Sequence, residues 1–354
     1  MIFDIDALVR PNIKRAKVYS SARHEFSGSK GIFLNANENA FGSPVGPAAV
    51  RYPDPFQTRA RQAVAGFNGI DPRCVFMSSG SDEAIDLLFR VFCEPGRDNV
   101  VVCPPTYGMY EVSASINDVE VREAPLGADL ELDADAIRRA ADERTKLIFI
   151  CSPNNPTGNA LSRDTIIRLA RSSGAIVVVD EAYQHFSSAP SLIGVVTETP
   201  NLVVLQTFSK AWGMADARVG LAFADERIIS LLDRIKPPYN VPGFAQDLVI
   251  EAIENSDQML AKLAAVIDER RRLSAELSAI GIVEKVYRSD ANFLLVKVRD
   301  AGSAYTFLIN RGIVVRDRSS LPGCKNCLRM TVGLPDENDA LINALKEYEN
   351  SIVH

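Results

Sequence analysis

The chain has 354 residues, of which 47% are hydrophobic and 24% charged, and its formal net charge is −6. Such a composition is ordinary for a globular protein with room for one large domain and a smaller one. An acidic balance without a basic stripe gives no footprint for nucleic acid or an anionic membrane surface, and no apolar run reaches the roughly 18 to 20 residues of a membrane span.

Residues 1–30 are polar and mixed, without a strong period, and predict an N-terminal arm that needs something to lie against. The start Met1-Ile-Phe-Asp-Ile-Asp6 is acidic where a secretory leader is basic. Six cysteines (Cys74, Cys93, Cys103, Cys151, Cys324 and Cys327) are scattered through apolar or loop contexts. Together these features predict a reducing, cytoplasmic home. Cys324 and Cys327 form a lone C-x-x-C pair with no second pair and no nearby histidine, so no metal centre is expected.

From about residue 56 to 240, helix-length segments alternate with short apolar runs: Val100 to Cys103, Lys146 to Cys151, Ala175 to Val179 and Asn201 to Gln206. Strands without polar alternation, separated by helices, predict a mostly parallel sheet covered on both faces. Beyond Pro237-Pro238 a long amphipathic segment, about Gln246 to Ile280, is followed by strand candidates at 291–298, 313–316 and 327–333 and a last helix from Glu337 to Glu349. The expected organisation is an arm (1–30), a large doubly wound α/β domain (31–245) and a smaller C-terminal α+β domain (246–354).

Residues with chemical potential cluster where these strands end, the place where open α/β sheets bind ligands. Ser79-Gly80-Ser81-Asp82 precedes an apolar helical segment, so its N–H groups form either an anion site or an ordinary capped helix start. Tyr107, after Pro104-Pro105, is a loop anchor or a stacking face for a flat ring. Asn155 sits in the turn Ser152-Pro-Asn-Asn-Pro156, which turn chemistry alone largely explains. Asp180 ends a buried strand with no polar transition, so its charge needs a cationic partner, and Tyr183 follows three positions later as a hydroxyl donor. Lys210, in Thr207-Phe-Ser-Lys210, is a solvated lysine or a desolvated amine able to form a Schiff base. Ser209 can add a hydroxyl, and Arg218 can pair with phosphate or lie in solvent.

The ordered series of motifs resembles the fold-type I pyridoxal-phosphate aminotransferases, and within them the histidinol-phosphate aminotransferase family. It is carried by Leu34-Asn-Ala-Asn-Glu-Asn39, Arg51-Tyr-Pro53, Ser79 to Ala84, Phe92 to Gly96, Cys103 to Tyr110, Cys151 to Gly158, Val179 to Tyr183, Ser209-Lys-Ala211 and Cys327 to Gly333, and runs from about Ile13 to the last helix. The resemblance implies that Lys210 holds the cofactor covalently and shuttles a proton, that Asp180 keeps the ring nitrogen protonated, and that Asn155 and Tyr183 hydrogen-bond the ring oxygen. It further implies Tyr107 as the stacking ring, and Gly80, Ser81, Asp82, Ser209 and Arg218 as the phosphate site. Tyr52 would reach the cofactor phosphate of a neighbouring subunit, which implies a homodimer with composite sites and an arm ordered across its interface. Arg329 would pair with an α-carboxylate, and Tyr19, Asn35, Asn240 and Arg316 would face substrate.

One departure stands out: where many relatives read Ala-Gly-Leu-Arg, this chain has Ala215-Asp216-Ala217-Arg218. The implied reaction moves an amino group from L-histidinol phosphate to 2-oxoglutarate. Alternatives of the same architecture are an aromatic amino acid aminotransferase and a threonine-phosphate decarboxylase. A ligand-sensing module of a transcription regulator is disfavoured, because little chain precedes the first motif.

Overall fold

The computed structural model describes residues 3–17, 32–46 and 50–353. Its centre is a seven-stranded sheet of β1 (Val75–Ser79), β2 (Asn99–Val102), β3 (Glu120–Glu123), β4 (Thr145–Cys151), β5 (Ile176–Asp180), β6 (Leu202–Thr207) and β7 (Val219–Phe223), ordered β1-β7-β6-β5-β4-β2-β3. The sheet is parallel except for β7, which runs antiparallel to both β1 and β6. The expected mostly parallel sheet is therefore present, with β7 as the single reversal.

Why these runs become central strands is visible in β5. All five of its residues are buried; Val177 and Val179 enter one core, Ile176 and Val178 the other. A strand that is apolar on both faces is stable only between two covering layers. The Thr58–Asn68, Arg163–Ser172 and Gly243–Glu254 helices supply one layer through Val64, Leu169 and Val249. The Ser81–Phe92, Met109–Ile116 and Glu226–Ile235 helices supply the other through Leu88, Tyr110 and Leu232.

A second, antiparallel sheet follows, made of β8 (Val283–Val286), β9 (Phe293–Val298), β10 (Arg316–Asp317) and β11 (Cys327–Thr331) in the order β10-β11-β9-β8. Leu294, Val296, Leu328 and Met330 pack there against Leu273, Leu277, Leu341 and Leu345 of the flanking helices. The amphipathic segment expected over 246–280 proves to be two helices, Gly243–Glu254 and Ser256–Ser278, parted at Asn255. The first buries Ala245 and Val249 in the large core, and the second buries Leu273 and Leu277 in the small one. One continuous apolar stripe thus serves two cores.

The described part of the N-terminal stretch lies against its own chain. Ile5 and Val9 are buried in the large core, and the Arg10 N–H donates to the Val91 carbonyl at 3.0 Å. No helix among the described residues is long and apolar enough to cross a membrane.

Candidate active site

The strand ends of the large sheet enclose a cavity of about 190 Å³ lined by Ser81, Asp82, Tyr107, Asn155, Asp180, Tyr183, Ser209, Lys210 and Arg218, together with Cys151, Ala182, Thr207 and Ala215. Nine residues singled out from the sequence thus converge on one space, from the ends of five different strands and the segments that follow them.

The anion end is shaped by two glycines. Gly80 caps the Ser81–Phe92 helix at φ +75°, a conformation that disfavours a side chain. It supplies no side-chain cap, so the first N–H groups of the helix remain available and the helix dipole favours a negative ligand. A Cβ on Gly80 would lie 2.5 Å from Arg218 Nη2, and one on Gly220 would lie 2.3 Å from both Gly80 C and Ser81 N. Arg218 itself has φ +53°, and its Nη1 donates to the Ala215 carbonyl at 3.1 Å and to Ser209 Oγ at 3.4 Å.

Asp180 is the last residue of β5, in register with Cys151 of β4 and Leu205 of β6. Its Oδ1 accepts the Ala182 N–H at 3.0 Å and its Oδ2 accepts the Tyr110 hydroxyl at 2.9 Å. Burial pushes its pKa up to about 6, with the Tyr110 bond opposing the rise. The cationic partner expected from the sequence is not supplied by the described residues, which form no ion pair with it.

Lys210 stands on the loop after β6, its amine 5.7 Å from the Tyr183 ring centroid. The side chain is reachable from the cavity, yet enough protein surrounds it that desolvation, followed by the Arg329 charge, lowers its pKa below the ordinary lysine value. An amine shifted in this direction spends more time as the neutral nucleophile. Tyr107 donates its hydroxyl to Asp82 Oδ1 at 3.1 Å, and burial raises its pKa, as it does that of Tyr183.

Of the expected substrate residues, Arg329 stands behind the lining on the small sheet and touches it through Asn155, donating from Nη1 to Asn155 Oδ1 at 2.6 Å. Arg316 is its register partner on β10 and is exposed. Neither Arg316 nor the exposed Asn35 lines the cavity. Asn240 stands outside it too, its amide donating to the Met77 carbonyl at 3.1 Å and Glu83 Oε2 at 2.9 Å and accepting from Gln57 Nε2 at 3.2 Å. Its polar groups brace the protein, which leaves them engaged. Tyr52 does not line its own chain's cavity; it is half-exposed and stacked on Tyr239 at 4.5 Å. Tyr19 lies outside the described residues.

Three residues given no role from the sequence belong to this neighbourhood. Tyr110 bonds Asp180, Gly220 permits the cradle, and Arg318 brings a third guanidinium near Arg316 and Arg329. The Arg318 Nε is buried without a hydrogen-bond partner among the described residues, and burial and Arg316 lower its pKa. Asp216 is exposed in the short 3₁₀ turn Ala215–Ala217 that delivers Arg218. Cys324 and Cys327 are buried together with Leu295 on the small sheet.

The donor set fits pyridoxal phosphate: a reactive amine, a buried carboxylate lacking a cation, and a helix start where a Cβ would fill the cradle. Comparison with known proteins agrees. The family model for aminotransferase class I and II matches residues 39–345. The chain is 46% identical to the histidinol-phosphate aminotransferase of Cytophaga hutchinsonii over 98% of this chain and 100% of that one. It is 48% identical to that of Parabacteroides distasonis over 97% and 98%. The crystal structure of histidinol-phosphate aminotransferase from Sinorhizobium meliloti in complex with pyridoxal-5'-phosphate shares the fold, with a TM-score of 0.80 at 23% identity over 90% of each chain. The chain belongs to the class I and II aminotransferases, in the group that holds the histidinol-phosphate aminotransferases of these bacteria.

Proposed function

We propose that this chain is a pyridoxal-phosphate enzyme of histidine biosynthesis, transferring the amino group of L-histidinol phosphate to 2-oxoglutarate to give imidazole-acetol phosphate and glutamate. The observation that carries the reading is the convergence of Lys210, Asp180, Asn155, Tyr183 and the Ser81 helix start on one cavity.

Bound there, pyridoxal phosphate supplies an electron-withdrawing ring that takes up the electron pair left when the substrate's Cα–H bond breaks. The Ser81 and Asp82 N–H groups, the Ser209 hydroxyl and Arg218 hold the phosphate. Asp180 holds a proton at the ring nitrogen, and Asn155 and Tyr183 bond the ring oxygen. Tyr107 covers the ring face. Lys210 is the amine that would hold the cofactor and, once displaced by substrate, would take the Cα proton on Nζ and deliver it to the carbon on the other side of the amino nitrogen. Arg329 clamps a carboxylate in a bidentate pair, which suits glutamate and 2-oxoglutarate.

The active form we propose is a cytoplasmic homodimer in which Tyr52 serves the partner's phosphate site. Support comes from its half-exposure and from Leu34, Phe41 and Phe244, large apolar side chains more than half exposed on the single chain. All six cysteines are free, in keeping with a reducing compartment.

The test is a substrate panel on purified protein supplied with pyridoxal phosphate. Amino transfer from L-histidinol phosphate to 2-oxoglutarate, well above that from phenylalanine and without release of carbon dioxide from phosphothreonine, is expected. Absence of cofactor absorbance together with inertness toward histidinol phosphate overturns the reading.

A further inference from the structure

The Tyr107-Gly-Met-Tyr110 stretch places two tyrosines three residues apart at the start of one helix, and they face different things. Tyr107 lines the cavity. Tyr110 is fully buried behind it, its ring stacked on Phe149 with centroids 4.8 Å apart at 15°, and edge-on to Tyr107 at 5.6 Å and 86°. Phe149 is in turn stacked on Phe89 at 5.4 Å. The aromatic stack leaves the Tyr110 ring little freedom, so its hydroxyl is aimed by packing. What it is aimed at is Asp180 Oδ2, 2.9 Å away.

We propose that Tyr110 is a positioning residue that fixes the Asp180 carboxylate as an oriented anion, ready to meet a protonated ring nitrogen. The proposal rests on the reading of Asp180 given above. A carboxylate removed from water holds its charge only if hydrogen bonds replace the lost solvation. Asp180 has two such donors, the Ala182 N–H and the Tyr110 hydroxyl. The first is backbone, fixed by the turn after β5; the second is a side chain and therefore open to substitution. Other ionisable groups face Asp180 from the surrounding elements: Asp82, Tyr107, Tyr183 and Cys151 disfavour its charge or are disfavoured by it, and Lys210 favours it from the cavity. With Lys210 occupied by cofactor chemistry, Tyr110 becomes the principal side chain that keeps Asp180 ionised. The same bond restricts rotation about the Asp180 side chain, so it sets direction as well as charge.

The experiment uses the full chain without cofactor. The carboxylic-acid band of Asp180 is followed by infrared difference spectroscopy against pH and assigned by its loss in Asp180→Asn. Tyr110→Phe, which keeps the ring and removes one O–H, is expected to move the protonation midpoint upward by about one to two pH units. Its affinity for pyridoxal phosphate at pH 7 is expected to fall and to recover as pH rises past the new midpoint. Phe149→Leu loosens the stack that aims the hydroxyl while keeping the O–H, and should lower thermal stability and move the midpoint upward by less than Tyr110→Phe does. If Tyr110→Phe does not fold, protein carrying 3-fluorotyrosine at position 110 alone, a stronger donor, should move the midpoint downward. An unmoved midpoint in folded Tyr110→Phe, or in the fluorinated protein, overturns the proposal. The midpoint is read without cofactor or substrate, so its failure is distinct from that of the functional reading, which parent protein and Asp180→Asn test by cofactor binding.

Discussion

Asp180 and Arg329 approach one cavity from opposite sheets, and the protein treats their charges in different ways. Asp180 is enclosed at a strand end with both oxygens engaged by fixed donors. Arg329 is only partly buried, rests 5.2 Å from the Phe293 ring centroid and lends one N–H to Asn155. Arg318 and Arg329 form no ion pair among the described residues, so the small-sheet side carries positive charge next to the cavity that a ligand can neutralise. The large-sheet wall prepares a charge in advance, whereas the small-sheet wall leaves charge open for exchange. Preorganised charge acts on the reacting bond; exchangeable charge acts on which anion enters and how tightly. Substitutions on the two walls should therefore separate into effects on kcat and cofactor, and effects on KM.

The largest expected effect is at Lys210. Lys210→Ala should keep the fold, bind pyridoxal phosphate only non-covalently and lose at least about 10³-fold in transamination, measured by steady-state turnover and by release of cofactor on gel filtration. Next comes Asp180→Asn, expected to lower kcat by about 10²-fold or more while stabilising the cofactor-free protein. The sign follows from the raised pKa. Between the ordinary value of 3.8 and about 6 the folded chain binds more protons than the unfolded one, so stability falls as pH rises through that window. Above it the penalty is constant, on the order of 3 kcal/mol. Removing the carboxylate should relieve part of it at pH 7 and flatten this part of the stability profile, which thermal melts across pH 4 to 8 would register. A less stable Asp180→Asn protein would mean that the charge is not held at a cost.

The third effect concerns the cradle, and it marks where sequence reasoning stopped. Motifs of contiguous residues were legible: Asn155, Asp180 and Lys210 each lie at or just after the end of an apolar run, and composition was enough to place those strands, whereas the strand Val75–Ser79 before Ser81 was not marked out. Gly220 carries no local signal, because its need for a bare Cα arises when β7 is laid against β1 with the Ser81 helix start above it. Tyr110 stood in a recognised motif, but its partner is 70 positions away. The break at Asn255 was hidden because both helices carry apolar faces, and only the two cores they serve tell them apart. Gly220→Ala places a methyl against backbone rather than a movable side chain. It should cost about 1–3 kcal/mol of stability and weaken pyridoxal-phosphate binding by about tenfold or more, read by thermal melt and cofactor titration.

On the small-sheet wall the expected change is of another kind. Arg329→Lys keeps the charge and loses the planar fork. KM for glutamate and 2-oxoglutarate should rise by roughly tenfold, while cofactor affinity and absorbance stay within about twofold of the parent. A large loss of cofactor binding would place Arg329 on the other wall in function, through its bond to Asn155.

The smallest effect is expected at Asn240, which the family resemblance sets among substrate-facing residues and the structure sets in a brace. Its amide joins Gln57, the Met77 carbonyl and Glu83, and Glu83 in turn accepts the Ser79 N–H at 2.5 Å, one residue before the cradle. Truncation to alanine leaves two of the neighbours with another partner, since Gln57 keeps the Pro55 carbonyl and Glu83 keeps Ser79. The cost should then be about 1–2 kcal/mol, a shift of a few degrees in Tm. Because the brace ends at the phosphate cradle, cofactor affinity should weaken slightly, and KM for L-histidinol phosphate should stay within about twofold. A tenfold rise in that KM with unchanged Tm would return Asn240 to the substrate side and would show that its bonds to Met77 and Glu83 exchange for substrate when the cavity fills.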